Sequence, residues 1–139
     1  MSFSNTAETA VLNQVFVGTA LAWNGNTNLW LALHTADPGE TGTATTNEVG
    51  TGAWTNYERV TLTRATDFTV SGDTVSNANL EQFTTSSGGT GATITHVSIV
   101  TSASGAGTII ARAALNTALA VSTGVQPQFN AGALTFTLN

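Results

Sequence analysis

The sequence contains no cysteine and no lysine. The absence of cysteine excludes thiol catalysis, structural disulfides and every cysteine-ligated zinc or iron–sulfur site. The absence of lysine excludes a phosphate-binding loop of the usual kind and Schiff-base chemistry. Charged residues make up only 8% of the 139 residues, and the formal net charge is −5. Because the basic residues are three scattered arginines, they cannot form the basic surface that nucleic acid requires, so we expect no nucleic-acid partner.

Long hydrophobic runs are also missing. No stretch approaches the roughly 20 apolar residues that cross a bilayer, so we expect no membrane association. The first residues, 1–6, lack the basic region of a secretory signal, so export by the general route is not indicated. The length of 139 residues and the 41% of hydrophobic residues fit one domain with a single core, which we place over residues 1–139.

The first 18 residues have the pattern of a short helix. Asn5 and Glu8 have the spacing of a capping box, and Gly18 is placed to end the helix. Apolar residues recur at helical spacing, at Ala7, Val11, Leu12, Val15 and Phe16. The apolar stripe is narrow, so we predict that residues 1–18 form a helical arm that packs on the domain or extends from it.

After Gly18 the apolar period changes to two. Leu29, Leu31 and Leu33 share one face of a predicted strand, and Trp30, Ala32 and His34 share the other. Since both faces are largely apolar, we predict a strand that is covered on both sides. A tight turn follows at residues 37–40 because of its Pro and Gly, and we interpret residues 41–52 as a long loop.

The rest of the chain alternates in short segments separated by Gly-rich turns. Ser71, Gly72 and Asp73 predict a hairpin, residues 86–91 a flexible connector, and Pro127 an edge strand or a bulge. The predicted strands are 57–64, 68–70, 75 onward, 80–84, 93–101, 108–115, 125–129 and 134–138. This spacing favours an all-β fold, an antiparallel, jelly-roll-like β-sandwich with one short N-terminal helix.

His34, Asp37 and Glu40 are the first candidates for chemistry, as ligands of a divalent cation. Pro38 and Gly39 place them at a strand end and a turn rather than on one helix face, and metal sites need three or four convergent ligands. We therefore interpret them as structural and expect no metal. A cation that bridges subunits near Asp37 and Glu40 stays an open alternative.

Catalytic sets have little support. His96 lies within a predicted strand and no nucleophile elbow is present, so we interpret His96 as structural or interfacial rather than as part of a triad. Glycoside hydrolysis would need two carboxylates across a cleft beside aromatic side chains. The candidates for these roles are Glu48, Glu58, Asp67 and Glu81, with Trp23, Trp30, Trp54 and Tyr57. The glycine-rich segments 50–52 and 88–91 lack the following helix and the lysine of a phosphate cradle and are interpreted as flexible loops.

These observations lead us to expect no enzyme, no catalytic residue, no cofactor and no small-molecule substrate. Trp54 and Tyr57 flank a loop, which leaves two interpretations open. They are either exposed anchors for a partner surface or residues packed at the edge of the core.

Five segments occur in an order that resembles a known family. They are LWLALHTADPGETG (29–42), NEVGTGAW (47–54), NYERVTLT (56–63), ITHVSIVTSASGAGTIIARAAL (94–115) and FNAGALTFTL (129–138). The family is that of small tailed-phage virion structural proteins labelled "phage tail fibre protein", which includes capsid decoration (cement) proteins. The resemblance covers nearly the whole chain and departs at Ile99-Val100, where relatives often have Ile-Tyr.

The resemblance implies a β-sandwich that is bound to the outer surface of a phage head, often as a trimer. We accordingly expect a decoration protein that stabilises the shell at capsomer junctions, with the major capsid protein as partner and a homotrimer as assembly state. The candidate interface residues are Phe3, Val11, Phe16, Trp54, Tyr57, His96 and Arg112. We also expect that deleting residues 1–18 abolishes capsid binding and leaves a β-fold.

Two other functions compete with decoration. A tail-fibre or tail-tip component would contact the host surface through exposed aromatics such as Trp54 and Tyr57, and would place the protein on the tail. A polysaccharide-degrading enzyme would need two carboxylates facing each other in a groove.

Overall fold

The chain forms ten short or medium strands and one α-helix in the computed structural model, which describes residues 1–137. The strands are β1 (Ser2–Phe3), β2 (Asn28–His34), β3 (Val60–Thr63), β4 (Phe68–Ser71), β5 (Thr74–Asn77), β6 (Glu81–Gln82), β7 (Ala92–Val100), β8 (Ile109–Val121), β9 (Gln128–Phe129) and β10 (Thr135–Thr137). The helix α1 spans Asn5–Leu12 and continues into a π-helical turn at Asn13–Val17. The predicted strand position of Leu138 lies outside the described residues.

These strands form three antiparallel sheets. One has five strands in the order β1-β8-β7-β2-β3, one has three in the order β10-β5-β4, and the third pairs β6 with β9. The predicted all-β antiparallel sandwich with one short helix is therefore confirmed. The finer jelly-roll arrangement stays a prediction. No helix within residues 1–137 has the length and apolar character needed to cross a membrane.

Strand β2 is an inner strand of the five-stranded sheet, between β7 and β3. Its residues Leu31 and Leu33 lie opposite Ile99 and Val97 of β7 and are buried in the main core. On the other face of β2, His34 is fully buried as well. The prediction of a strand covered on both sides is confirmed, since apolar positions on both faces of a strand need a layer above and below.

Aromatic side chains fill the space between the sheets. The rings of Trp54 and Phe83 are 6.1 Å apart, and Tyr57 stacks on Phe83 at 6.2 Å. Phe83 also meets Phe129 edge to face. These contacts join the loop before β3 to the β6–β9 pair, so the smaller sheets share one core with the large sheet.

The N-terminus differs from the sequence prediction at its cap. Ser4, not Asn5, is the N-cap, because its backbone is extended and its hydroxyl accepts the Ala7 N–H at 3.1 Å. The same hydroxyl donates to the Ile109 carbonyl, which ties the helix start to β8. Gly18 ends the helical segment in the left-handed region at φ 75°, as predicted.

Most of the N-terminal segment belongs to the sandwich rather than extending from it. Strand β1 pairs with β8 at Arg112 and Ala111, and Ala7 is fully buried in the core. Removing residues 1–18 would therefore uncover the edge of β8 and part of the core. The expectation that such a truncation abolishes capsid binding and leaves a β-fold stays a prediction, and these contacts lead us to expect that the truncated chain is less stable.

Strand β8 is longer than predicted and carries an irregularity. Ile94 lies opposite Leu119, whereas His96, two residues later, lies opposite Ala114. Four residues of β8 therefore face a single residue of β7, which is a large bulge. Pro127 precedes β9, and within residues 1–137 β9 pairs only with β6, which agrees with the predicted edge position.

The glycine-rich connector at 88–91 is fixed by the neighbouring chain. The carbonyls of Gly52 and Ala53 accept the N–H groups of Thr90 and Gly91. Gly89 comes directly before Thr90 and has φ +114°. A Cβ at this position would lie 2.3 Å from the Ala53 carbonyl oxygen. The interpretation of this segment as a flexible loop is wrong, because its small side chains serve close packing of two backbones.

We predict that Gly89→Ala strongly destabilises the fold. The variant combines a backbone clash with a strained backbone conformation, and the expected loss is about 3 kcal/mol of unfolding free energy. Chemical denaturation of the purified protein measures this loss. Gly50→Ala is the matched control, since Gly50 has open space around its Cβ position. Equal stabilities of the two variants would contradict the packing described here.

Candidate functional site

The outer face of the five-stranded sheet is covered by residues 35–50, which we call the covering loop. The Val49 N–H donates to the Leu33 carbonyl at 3.0 Å, beside β2. At the other side of the sheet the Ala44 N–H donates to the Gly107 carbonyl at 2.8 Å. Ala44 is fully buried against Ala32 and neighbouring apolar residues. The segment predicted as a long loop is thus an ordered layer of the molecule.

Arg59 fastens the end of this loop to the hairpin turn between β7 and β8. Its guanidinium forms two parallel bonds with the Glu48 carboxylate, at 2.7 and 2.6 Å. The remaining N–H groups donate to Ser102 and to the Gly105 carbonyl. The Arg59 side chain is only 3% exposed. All five of its donors are therefore satisfied in a nearly water-free setting, where charge-assisted bonds are strong.

Tyr57 completes this cluster. Its hydroxyl donates to the Glu48 carboxylate at 3.1 Å and accepts the Leu33 N–H at 2.9 Å. Burial, together with the neighbouring Glu48 charge, raises the pKa of Tyr57 well above its ordinary value. Tyr57 is therefore neutral, and its hydroxyl links the covering loop to β2 through hydrogen bonds.

Arg112 holds the start of the covering loop. Its guanidinium binds the Asp37 carboxylate at 2.6 Å and also the Glu40 carboxylate. The hydrogen bond from the Gly39 N–H, with a further contribution from Arg112, holds the pKa of Asp37 below its ordinary value. A guanidinium thus occupies the place between the two carboxylates that the sequence had left open for a cation.

His34 is directed into the interior under the covering loop, away from that ion pair. Its Nδ1 lies 2.9 Å from the Thr46 carbonyl and its Nε2 lies 2.7 Å from the Ser98 hydroxyl. Within residues 1–137, no three or more side chains of His, Asp or Glu converge in a way that would hold a metal ion. His34, Asp37 and Glu40 therefore do not form one site.

The other predicted site residues are dispersed. His96 is half-buried beside the Thr95 hydroxyl at 2.9 Å, on the same sheet face as Arg112. Trp54 has no exposed surface, and its indole N–H donates to Asn56 at 3.1 Å. The prediction that Trp54 and Tyr57 are exposed anchors is therefore wrong. The structure shows the alternative, in which both side chains pack at the core. The ring of Trp54 is excluded from water because Phe83 covers it.

The four candidate carboxylates have separate surroundings. Glu48 is bound by Arg59, and Glu58 is exposed. Asp67 accepts the Thr63 N–H at 2.7 Å. Glu81 is buried, and its Oε1 has no hydrogen-bond partner within residues 1–137. Burial, with the Asp67 charge, raises the pKa of Glu81 above its ordinary value.

Exposed large apolar side chains are concentrated at the end of the N-terminal helical segment. Leu12, Val15, Phe16 and Val17 are between 57 and 80% exposed, with Phe16 the most exposed. We call these four residues the apolar arm. The helical spacing predicted Phe16 as an interface residue but missed Val17, because the π-helical turn widens the helix just before Gly18 and turns consecutive side chains outward.

A groove of about 620 Å³ lies beside the apolar arm. It is lined by Phe3, Val11, Leu12 and Phe136, among others. Phe3 of β1 meets Phe136 of β10 edge to face at 5.3 Å. Two of the predicted interface residues, Phe3 and Val11, thus line this groove, and Phe16 follows on the same helical segment. Trp54, Tyr57, His96 and Arg112 do not line it.

The fold and the site define a class of protein. It is a small antiparallel β-sandwich in which arginine ion pairs hold a loop over one sheet face and in which an apolar arm is exposed. The chain belongs to the family described as podophage GP4 fiber I protein gp80, whose model matches residues 2–137. It is accordingly a bacteriophage structural protein, and the predicted resemblance to a phage tail-fibre family is confirmed. No curated protein matches the chain.

We predict that Arg59→Met costs about 3 kcal/mol of unfolding free energy, because it leaves the buried Glu48 carboxylate without its partner. Urea denaturation measures the loss. Arg112→Met is the matched control. Its carboxylate partners are 39 to 50% exposed, so that loss should be about 1 kcal/mol or less. A larger loss for Arg112→Met than for Arg59→Met would contradict this ranking.

We predict that Glu81→Gln stabilises the fold at pH 7. The raised pKa of Glu81 means that its ionised form is disfavoured in the folded state, so the native carboxylate costs stability above the unfolded pKa of about 4.3. This cost disappears as the pH falls and the carboxyl protonates in both states. Thermal unfolding of Glu81→Gln and of wild type should therefore differ at pH 7 and converge near pH 4. Glu58→Gln, at an exposed position, is the control and should not differ from wild type at either pH.

Proposed function

We propose that this protein is a non-enzymatic fibre component of the phage virion and that its apolar arm attaches it to a neighbouring virion protein. The observation that carries the proposal is a cluster of four exposed large apolar side chains, in a chain whose family match extends over residues 2–137. The family to which the chain belongs is described as a fiber protein. This supports the tail-side alternative of the sequence analysis over the head.

The apolar arm has the properties of an attachment surface. Residues 9–33 contain no charged side chain, and the nearest one along the helix is Glu8, which lines the groove together with Leu12. Covering Val15, Phe16 and Val17 therefore desolvates no charge within residues 9–33. A contiguous exposed apolar patch marks an interaction site more often than a chance surface. Its burial would contribute about 25 cal/mol for each Å² removed from water. Such a contact depends little on salt, because no exposed charge takes part in it.

The rest of the molecule supports the arm as a rigid base. Arg59 and Arg112 fix both ends of the covering loop, and the Ser4 cap fixes the start of α1 against β8. A partner that binds the arm therefore meets a surface that is already ordered. Preorganisation of this kind reduces the entropy cost of association.

A non-enzymatic role is supported by where the polar groups are used. Glu48, Asp37 and Glu40 are bound by arginines, and His34 and Ser98 are buried with each other. These groups serve the covering loop. The proposal includes no cofactor and no small-molecule substrate.

Capsid decoration is the second candidate. The resemblance to cement proteins and the combination of a small sandwich with a protruding arm favour it. In that role the arm would contact the major capsid protein, and a homotrimer would bind across capsomer junctions with the avidity of several weak contacts. An image reconstruction of the whole virion distinguishes the two candidates, since density at the tail supports the fibre role and density spread over the head supports decoration.

We predict that the double variant Val15→Ser/Phe16→Ser loses attachment to the virion. Both side chains are exposed and do not contribute to the core, so the free energy of unfolding should stay within about 0.5 kcal/mol of wild type. Phage lacking the gene are complemented with each variant, and the protein bound to purified particles is measured by quantitative mass spectrometry.

Val70→Ser is the matched control, because Val70 is an equally exposed valine on the edge strand β4. Val70→Ser should attach like wild type. Full occupancy of the double variant on particles would refute the role of the arm, whether the protein sits on the head or on the tail.

A further inference from the structure

His34 is the one histidine of the chain that is fully buried, and its buried contacts bind the covering loop to the sheet. The Thr46 carbonyl is only an acceptor, so Nδ1 must carry the hydrogen and donate it to Thr46. Nε2 then has a free lone pair and accepts the Ser98 O–H. His34 is thus neutral, in a defined tautomer, and links a loop residue to a residue of β7.

From this geometry we infer that the covering loop is a pH-sensitive latch, which opens from the sheet when His34 takes up a proton. A proton added to Nε2 reverses this bond, so that Nε2–H donates to the Ser98 hydroxyl oxygen and the Ser98 hydrogen loses its acceptor. It also leaves a positive imidazolium in a site without exposed surface. Water can reach the ring only if the loop above it moves away. Opening the loop is therefore the route by which the charged ring is hydrated.

The charges around His34 do not remove this cost. The groups that face it are Glu48 of the covering loop, Arg59 and Tyr57 before β3, and His96 of β7. Glu48 is the only one that favours a positive ring, and its carboxylate already accepts Arg59 and Tyr57. Burial is the largest influence on the ring, and it lowers the pKa of His34 below its ordinary value.

The covering loop is also the part of this face that can open by itself. Within residues 35–50 it buries three apolar residues, Pro38, Ala44 and Val49, whereas the β2–β7 ladder beneath it carries more of the main core. Segments with few buried apolar contacts open locally without global unfolding. His34 is the fully buried titratable side chain beneath the loop, so we expect opening to depend on it as the pH falls below the ordinary pKa of histidine, about 6.5.

Hydrogen exchange measured by NMR tests the latch. The exchange of the Ala44 and Val49 amides, corrected for intrinsic rates, is compared between pH 7.5 and pH 5.5 in wild type. The amides of Leu31 and Ile99 in the β2–β7 ladder serve as an internal control. The expected result is a loss of protection of up to about tenfold per pH unit below the unfolded pKa of histidine, confined to the loop amides. Unchanged loop protection, or an equal loss in the loop and the ladder, would overturn the proposal.

Two variants assign the effect to one imidazole. His34→Gln should abolish the pH dependence of loop protection, whereas His96→Gln, which removes the half-buried histidine on the same face, should retain it. Retention of the pH dependence in His34→Gln would overturn the proposal. If His34→Gln does not fold, the ring ¹⁵N signals of wild-type His34 decide. Their titration must coincide with shift changes at Ala44 and Val49, and a titration without such changes overturns the latch.

Discussion

Strand β2 has side chains that avoid water on both of its faces, and this constraint organises the molecule. One face packs into the core between the sheets, where Leu31 and Leu33 meet Val97 and Ile99. The other face needs a second cover, and the chain supplies it with a loop instead of another sheet. A covering loop carries backbone polar groups into contact with buried surface, and each of these needs a hydrogen-bond partner.

The chain has few charged side chains, and many of them hold the covering loop in place. Arg59 and Arg112 together engage Glu48, Asp37 and Glu40, so five of the eleven charged residues hold the ends of one loop. The ion pairs of Arg59 and of Arg112 contribute different amounts to stability. Water reaches the carboxylates that pair with Arg112 but is nearly excluded from the Arg59–Glu48 pair, and solvent weakens an exposed ion pair. Low overall charge is thus compatible with a well-fixed surface when the few charges are paired where the backbone needs support.

Local sequence signals predicted the elements that depend on neighbours along the chain. The alternation in β2, the hairpin at Gly72 and the helix stop at Gly18 all follow from backbone preferences within a few residues. Contacts between distant segments could not be predicted in this way. Ser4 became the helix cap because its hydroxyl also reaches Ile109, and Trp54 entered the core because Phe83, distant in sequence, covers it. The candidate site divides in the same manner. Helical spacing grouped Phe16 with the apolar residues of one stripe, whereas its exposure and the role of Arg112 depend on contacts between distant segments.

The Arg59 clamp has a consequence for the time course of unfolding. It joins Glu48, Arg59 and the Ser102–Gly105 turn, and its bond from Arg59 to Gly105 connects positions that are 46 residues apart along the chain. Its bonds form only after these three segments are assembled, so we expect them to be absent from the folding transition state. Interactions of that kind slow unfolding more than they speed folding. A particle component that must persist outside a cell gains lifetime from such a late-forming contact, even where its equilibrium stability is ordinary.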